Sequence, residues 1–229
     1  MSDAHHSRPV QSKQRFVHPR LGERVRKHLS HPHRRPAADH TLAAFEKLLS
    51  WKGNRSESLV FDSYCGTGAS TRLLAERHPN LLVVGIDKSA HRLARHGESA
   101  RDNYLLVQAD CGDLWRLALE EGWRLEHHYL FYPNPWPKPA QLGRRVQGSA
   151  DFSALLDLGG KVELRSNWQL YTEEFGVALA IAGQPALVDE VRPDLPVSLF
   201  ERKYSQSGHR LWRCRCQLSD NRAIAPVRR

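Results

Sequence analysis

The run Leu59-Val-Phe-Asp-Ser-Tyr-Cys-Gly-Thr-Gly-Ala-Ser-Thr71 limits what this chain can fold into more than any other stretch. It starts with an apolar triplet, Leu59 to Phe61, too short for a helix and bounded by polar residues. That reads as a strand buried on both faces. Asp62 follows, then a glycine turn, Cys65-Gly-Thr-Gly68, then a helical pattern with Leu73 and Leu74 on its apolar side. Strand, glycine turn and helix in this order form the nucleotide-site unit of a doubly wound α/β fold. Gly66 and Gly68 let backbone approach a ligand where a Cβ would collide.

One strand-and-helix unit later, Leu81-Leu-Val-Val-Gly-Ile-Asp87 predicts a second buried strand. It ends in a carboxylate placed to accept hydrogen bonds from a ribose diol. The third glycine of a dinucleotide fingerprint is missing, with Thr71 in its place, and no Gly-Lys-Ser/Thr follows. A nucleoside without phosphates fits this turn better, and S-adenosylmethionine is such a ligand. Lys88 adjoins Asp87, and Cys65 and Cys111 fall beside the predicted ligand turns.

The 229 residues suit one α/β domain with an extra arm. A formal net charge of +9 and a pI near 9.7 point to an anionic partner, of which nucleic acid is the commonest. The four cysteines show neither good disulfide spacing nor a metal-ligand quartet, so no metal is expected and reduced cytoplasmic thiols are. No apolar run is long enough to span a membrane, and no signal peptide is visible. Residues 1–38 read as a basic, histidine-rich arm with His5-His6, His18, His28, His31, His33 and Arg34-Arg35. Scattered histidines without ligand spacing predict a solvated, partly flexible segment rather than a metal site. Within it, Leu21, Val25 and Leu29 predict a short amphipathic helix whose polar side carries Arg24, Arg26 and Lys27, able to grip a phosphate backbone.

From Asp39 a helix is predicted with Leu42, Phe45, Leu48 and Leu49 on one face. A third strand, Asn103 to Gln108, delivers Asp110 to its carboxyl end, where it can accept an adenine amino hydrogen, cap the next helix, or do both. A fourth strand, His127 to Tyr132, runs into Tyr132-Pro-Asn-Pro-Trp-Pro-Lys138. Its prolines cannot be sheet interior, so they form a stiff loop presenting Asn134 and Trp136. An amide that reads ring edges and an indole that stacks suit a flat heterocycle. Arg144 and Arg145 follow, placed for phosphate contacts. The remaining pattern predicts a helix Phe152 to Leu158 ended by Gly159-Gly160, a strand Lys161 to Arg165, and a helix opening at Ser166-Asn-Trp168. A strand Ala186 to Val191, a proline-marked loop carrying Ser198-Leu-Phe-Glu201, a strand Leu211 to Leu218 and a fraying basic tail complete the chain.

Four blocks together resemble the bacterial tRNA (guanine-N7) methyltransferases. They are Asp62 to Thr71; Phe131 to Lys138 with Arg144-Arg145; Ser166-Asn-Trp168 with Tyr171; and Ser198 to Glu201 with Gly208-His209. The resemblance implies a Rossmann-like class I methyltransferase over residues 39–229: an α/β fold with a seven-stranded, mostly parallel sheet, a reversed last hairpin and helices on both faces. It implies S-adenosyl-L-methionine as donor, at Asp62, Cys65, Gly66, Gly68, Asp87, Lys88, Asp110 and Cys111. It implies guanosine in tRNA as acceptor, with Asn134 and Asn167 in the catalytic positions. Trp136, Lys138, Arg144, Arg145, Ser198 and Glu201 would bind the RNA. Monomer and homodimer both stay open.

The chain departs from the family pattern where it matters chemically. The family reads Pro-Asp-Pro-Trp where this chain has Pro133-Asn-Pro-Trp136, and Thr-Asp where it has Ser166-Asn167. Ser198 replaces a threonine, and Pro139 to Gly143 replace a basic run. Two expected carboxylates are therefore neutral amides. Two further readings stay open on the same residues: a methyltransferase acting on an exocyclic amine, since Asn134 sits in a partial Asn-Pro-Pro-aromatic loop, and a non-catalytic RNA-binding relative.

Overall fold

The computed structural model describes residues 7–31, 33, 35–97 and 99–219. His5-His6, Arg34 and the basic tail lie outside the described residues. The elements in chain order are α1 (Leu21–Ser30), α2 (Asp39–Lys52), β1 (Leu59–Ser63), α3 (Ala69–Arg77), β2 (Leu82–Asp87), the single turn α4 (Ala90–Leu93), β3 (Tyr104–Gln108) and α5 (Cys111–Glu120). Then come β4 (Leu125–Phe131), two 3-10 turns (Pro139–Arg144 and Val146–Gly148), α6 (Phe152–Leu158), β5 (Lys161–Ser166), α7 (Gln169–Ile181), β6 (Leu187–Val191), α8 (Leu199–Gln206) and β7 (Leu211–Gln217).

The strands form one seven-stranded sheet in the order β3-β2-β1-β4-β5-β7-β6. Every pairing from β3 to β5 is parallel, and β7 runs antiparallel between β5 and β6. This is the expected architecture. Residues of β1 and β2 are buried without exception, which is why these strands read as apolar runs rather than alternations. Phe61 packs with α1, α2 and α5 to α7 in one core, while Val60 packs with Leu74 and Ala75 of α3 in a second core on the opposite face. The chain reverses its winding between β1 and β4, so a crevice opens at their carboxyl ends, where open α/β sheets bind ligands.

The missing third glycine has a structural answer. Thr71 is fully buried, and its hydroxyl donates to Asp62 Oδ2 at 2.7 Å. The close helix-to-strand approach is made instead on the strand: a Cβ at Gly85 would stand 2.3 Å from Thr71 Oγ1 and 2.5 Å from Leu106. Gly85→Ala is expected to cost about 1–3 kcal/mol of stability, read as a lower urea midpoint with an unchanged slope.

Three expectations change. Leu42 is 42% exposed, because the packed face of α2 is set by Thr41, Phe45 and Leu48. The Ser198 segment is not a loop: Ser198 caps α8 by accepting the Glu201 N–H at 3.1 Å. Nor is the described part of the arm a free tether. Leu21 and Val25 of α1 are fully buried in the main core. Ahead of them, residues 7–18 are strapped across the carboxyl edge of the sheet. Ser7 bonds Ser207 and His209, Ser12 Oγ donates to the Pro137 carbonyl, and both Gln14 and the His18 N–H donate to Glu174. The fixed partners are the buried Glu174 and half-buried groups of the domain at Pro137, Ser207 and His209, which periodicity does not reveal.

Two buried ionisable groups oppose each other in pH. Burial pushes His128 down to about 3 and pushes Asp62 up to about 6, with the Ser70 and Thr71 hydroxyls partly offsetting the latter. Below pH 6.5 the unfolded chain protonates His128 and the fold refuses to. That alone lowers stability by about 1.4 kcal/mol per pH unit as pH falls. Between pH 6 and about 4 the folded Asp62 keeps a proton that the unfolded chain releases, which raises stability as pH falls at a similar slope. Asp62→Asn is therefore expected to make stability fall more steeply than in the parent from pH 6 to 4, measured as urea midpoints across that range. An unchanged pH slope would contradict this assignment.

Candidate active site

The carboxyl ends of β1 to β4 enclose a cavity of about 540 Å³, within the range of small-molecule sites. One end carries Asp87, Lys88, Asp110 and Cys111; the other carries Tyr132, Asn134, Trp136 and Arg144. The order of strands places these two groups side by side although they lie far apart in sequence. Asp87 is fixed by three donors: the Gly66 N–H at 3.0 Å, the Ser89 N–H at 2.8 Å and Arg92 at 3.0 Å. Gly66 adopts a left-handed conformation (φ 63°), which turns its N–H onto that carboxylate. Asp110 accepts from Gly112 and Asp113 through Oδ1, so the capping expectation is met and Oδ2 stays open to a ligand. Burial holds the Cys65 and Cys111 thiols far above their usual range, so neither offers a thiolate nucleophile.

The proline loop is rigid for reasons visible in its contacts. Tyr132 and Trp136 both have positive φ, at 56° and 46°, a strained choice for bulky residues that surrounding contacts must enforce. The Tyr132 hydroxyl donates to Glu201 at 2.7 Å, and burial together with that carboxylate pushes its ionisation well up. The Trp136 N–H donates to Asn134 Oδ1, its carbonyl accepts from Arg145, and Arg144 stacks 4.8 Å above its ring. Asn134 remains exposed at the cavity mouth.

Several predicted site residues stand elsewhere. Arg145 is fully buried, so the phosphate contact expected of it is corrected. Its guanidinium meets Glu174 at 2.5 Å and Gln14 at 3.0 Å, and lies over Trp168. Glu201 is likewise sealed, accepting from Tyr132, from Arg165 at 2.8 Å and from the Val197 N–H at 2.6 Å. It cannot reach a base edge in this arrangement; it braces the proline loop and the start of α8. Asp62 is also sealed, accepting from Ser70 and Thr71, and it shapes the glycine turn from behind. Gly68 serves packing, since a Cβ there would meet Leu106 at 2.5 Å. Asn167 lies outside the cavity wall and donates to His209 Nδ1, whose Nε2 meets the Ser7 carbonyl. Lys138 is exposed beyond the loop, whereas Cys65, Gly66 and Ser198 line a smaller adjacent hollow.

The sequence reading missed Tyr64, Arg92, Trp115, Ser149, Asp151, Phe200 and Tyr204 on these walls. Asp151 is held by His33 at 2.7 Å and by Arg116 at 3.4 Å, and it packs against Gly112. Only proximity in the fold brings it to the site. For Ser198 and Glu201 a signal did exist, because Ser-x-x-Glu before a helical run is a helix-start signature.

A family described as "Putative methyltransferase" matches residues 56–214, most of the chain. A tRNA (guanine-N(7)-)-methyltransferase of Shewanella halifaxensis is 30% identical over 174 residues, covering 69% of this chain and 72% of that protein. One from Nitrosospira multiformis is 28% identical over 173 residues, covering 69% and 74%. Among solved structures, the 16S rRNA methyltransferase KamB superposes with a TM-score of 0.56 at 16% identity, covering 81% of this chain and 95% of that one, a likeness of fold. With a family model spanning most of the chain and a relative 30% identical over 72% of its own length, the chain belongs to the tRNA (guanine-N7) methyltransferase family.

Proposed function

We propose that the protein transfers a methyl group from S-adenosyl-L-methionine to N7 of guanosine in tRNA. The observation that carries this reading is the single cavity running from Asp87 and Asp110 to Asn134 and Trp136. Its chemistry fits a phosphate-free adenosine compound: a buried carboxylate for a ribose diol, two carboxylates (Asp110 and Asp151) flanking Gly112 for an adenine edge, and no phosphate-cradling loop. When bound, the donor supplies an electrophilic methyl sulfonium. Clasping a ribose would require Asp87 to exchange its contact with Arg92 for the sugar hydroxyls.

Guanine N7 already bears a lone pair, so no residue has to remove a proton. The chain's task is to hold the purine in line with the donor and to exclude water, a positioning effect that can be large. Trp136 offers its ring for stacking, and the braced loop keeps Asn134 at the rim. The purine turns cationic as the bond forms. Where the family places a carboxylate, this chain offers the Asn134 amide dipole, a weaker stabiliser. Asn134→Asp is accordingly expected to raise kcat on tRNA by about tenfold, read by initial rates at saturating donor.

The exocyclic-amine reading needs the Asn134 oxygen to accept from the substrate. That oxygen accepts the Trp136 N–H at 3.2 Å and keeps a second lone pair, so nucleoside analysis rather than this contact separates the two readings. The net charge of +9 supports an RNA partner, and four free thiols support the cytoplasm as the working compartment. Among the described residues no helix is long and apolar enough to cross a membrane. The test is tritiated-methyl transfer to unmodified tRNA followed by nucleoside analysis. The reading predicts 7-methylguanosine; no incorporation at stoichiometric enzyme, or label on another nucleoside, would overturn it.

A further inference from the structure

A second hollow of about 200 Å³ lies beside the main cavity, walled by the glycine turn and by the first turns of α4 and α8. Arg92 and Phe200 line both spaces, so the two are neighbours. The hollow is below the roughly 300 Å³ at which sites for whole small molecules begin, so it suits a single group rather than a nucleoside. Three cations converge on it: Arg92, Arg95 and Lys203.

The pairing of these cations is uneven. Arg92 is held by Asp87. Arg95 and Lys203 are exposed, and neither has a carboxylate partner among the described residues. Arg72, Arg77, Lys138 and Arg144 have no carboxylate partner among the described residues either, so it is convergence on one hollow, not the missing partner, that singles out this pair. Two unmatched cations converging on a small walled space leave a local positive field that an anionic group would satisfy. Phe200 is 38% exposed and Leu199 48% exposed at the same rim, an apolar ledge next to the cations. A nucleotide offers that combination, with a charged phosphate and a flat apolar base.

We propose that this hollow is a backbone-phosphate subsite for the RNA strand that delivers its base to the main cavity, with Arg95 and Lys203 as the phosphate ligands. The inference rests on the RNA reading given above and adds where the strand is gripped. An anchored phosphate here would lie beside the acceptor cavity, so it would fix the register of the strand. The donor's own carboxylate is the competing anion, and the two occupants are separable.

The test uses the full chain, unmodified tRNA and S-adenosylhomocysteine as probes. The double variant Arg95→Ala/Lys203→Ala alters exposed side chains, and its melting temperature confirms folding. The expected result is an approximately tenfold weaker tRNA affinity at low salt, with the slope of log K against log salt reduced by about one. Calorimetric affinity for S-adenosylhomocysteine should stay within about twofold of the parent, and Lys203→Arg alone should keep tRNA binding. Unchanged tRNA affinity and slope would overturn the subsite while leaving the proposed activity intact. A parallel loss of S-adenosylhomocysteine affinity would overturn it too, by giving the hollow to the donor. If the parent protein neither binds nor methylates tRNA, the activity itself fails, and the subsite falls with it.

Discussion

Replacing Arg145 with methionine is expected to destabilise the protein by about 3–5 kcal/mol, because the change leaves a carboxylate buried without its partner. Arg145 and Glu174 are both fully buried, and they meet at 2.5 Å. Glu174 also gathers Gln14, the His18 N–H and Gln147, while Arg145 holds Gln14 and the Trp136 carbonyl. The pair therefore joins the amino-terminal strap, α7 and the proline loop in one polar knot. For a chain of this length the loss corresponds to a melting temperature lower by about 10 °C. Removing both charges, in Arg145→Met/Glu174→Met, should restore much of that loss, since no buried charge is then left unpaired. Proteolysis near residues 12–18 should become faster in the single variant. A single variant that melts like the parent would show the knot to be dispensable.

Replacing Asp87 with alanine is expected to weaken S-adenosylhomocysteine binding by about 30- to 100-fold. A carboxylate accepting from ribose hydroxyls makes charge-assisted hydrogen bonds of about 1.5–3 kcal/mol, and Asp87 also fixes Gly66 and Ser89, which shape the floor of the site. Arg92 would lose its partner at the same time. Isothermal calorimetry reads the effect, and the melting temperature without ligand separates it from a folding defect. If Asp87→Ala bound S-adenosylhomocysteine as the parent does, the ribose would have to lie elsewhere.

These cases show what a sequence carries and what it does not. The order of β1, glycine turn, α3 and β2 was legible because buried parallel strands are short apolar runs and the turn demands glycine; Gly66 at φ 63° bears that out. Asp87, Asp110, Asn134 and Trp136 could be placed because each lies at the carboxyl end of a strand or within a few residues past it. Arg145 and Glu201 could not be judged, because exposure depends on what packs over a residue. An arginine in a polar stretch looks the same whether it meets phosphate or a buried glutamate more than twenty residues onward. Asp151 and Phe200 reach the cavity only through tertiary packing of α6 and α8, and no local pattern marks them. The neutral Asn167 finds a structural reason as well. It donates to His209 Nδ1, and the other ring nitrogen faces the Ser7 carbonyl, which can only accept. An aspartate there would need the ring to donate from both nitrogens, as imidazolium, whereas the amide pairs with the neutral imidazole.

A crystal structure with S-adenosylhomocysteine tests the central claim most directly. The ribose should rest on Asp87, the adenine should lie between Asp110 and Asp151, and the sulfur should face the loop from Tyr132 to Trp136. Density for the ligand in the smaller hollow by Arg95 and Lys203, or a sulfur turned away from that loop, would contradict it.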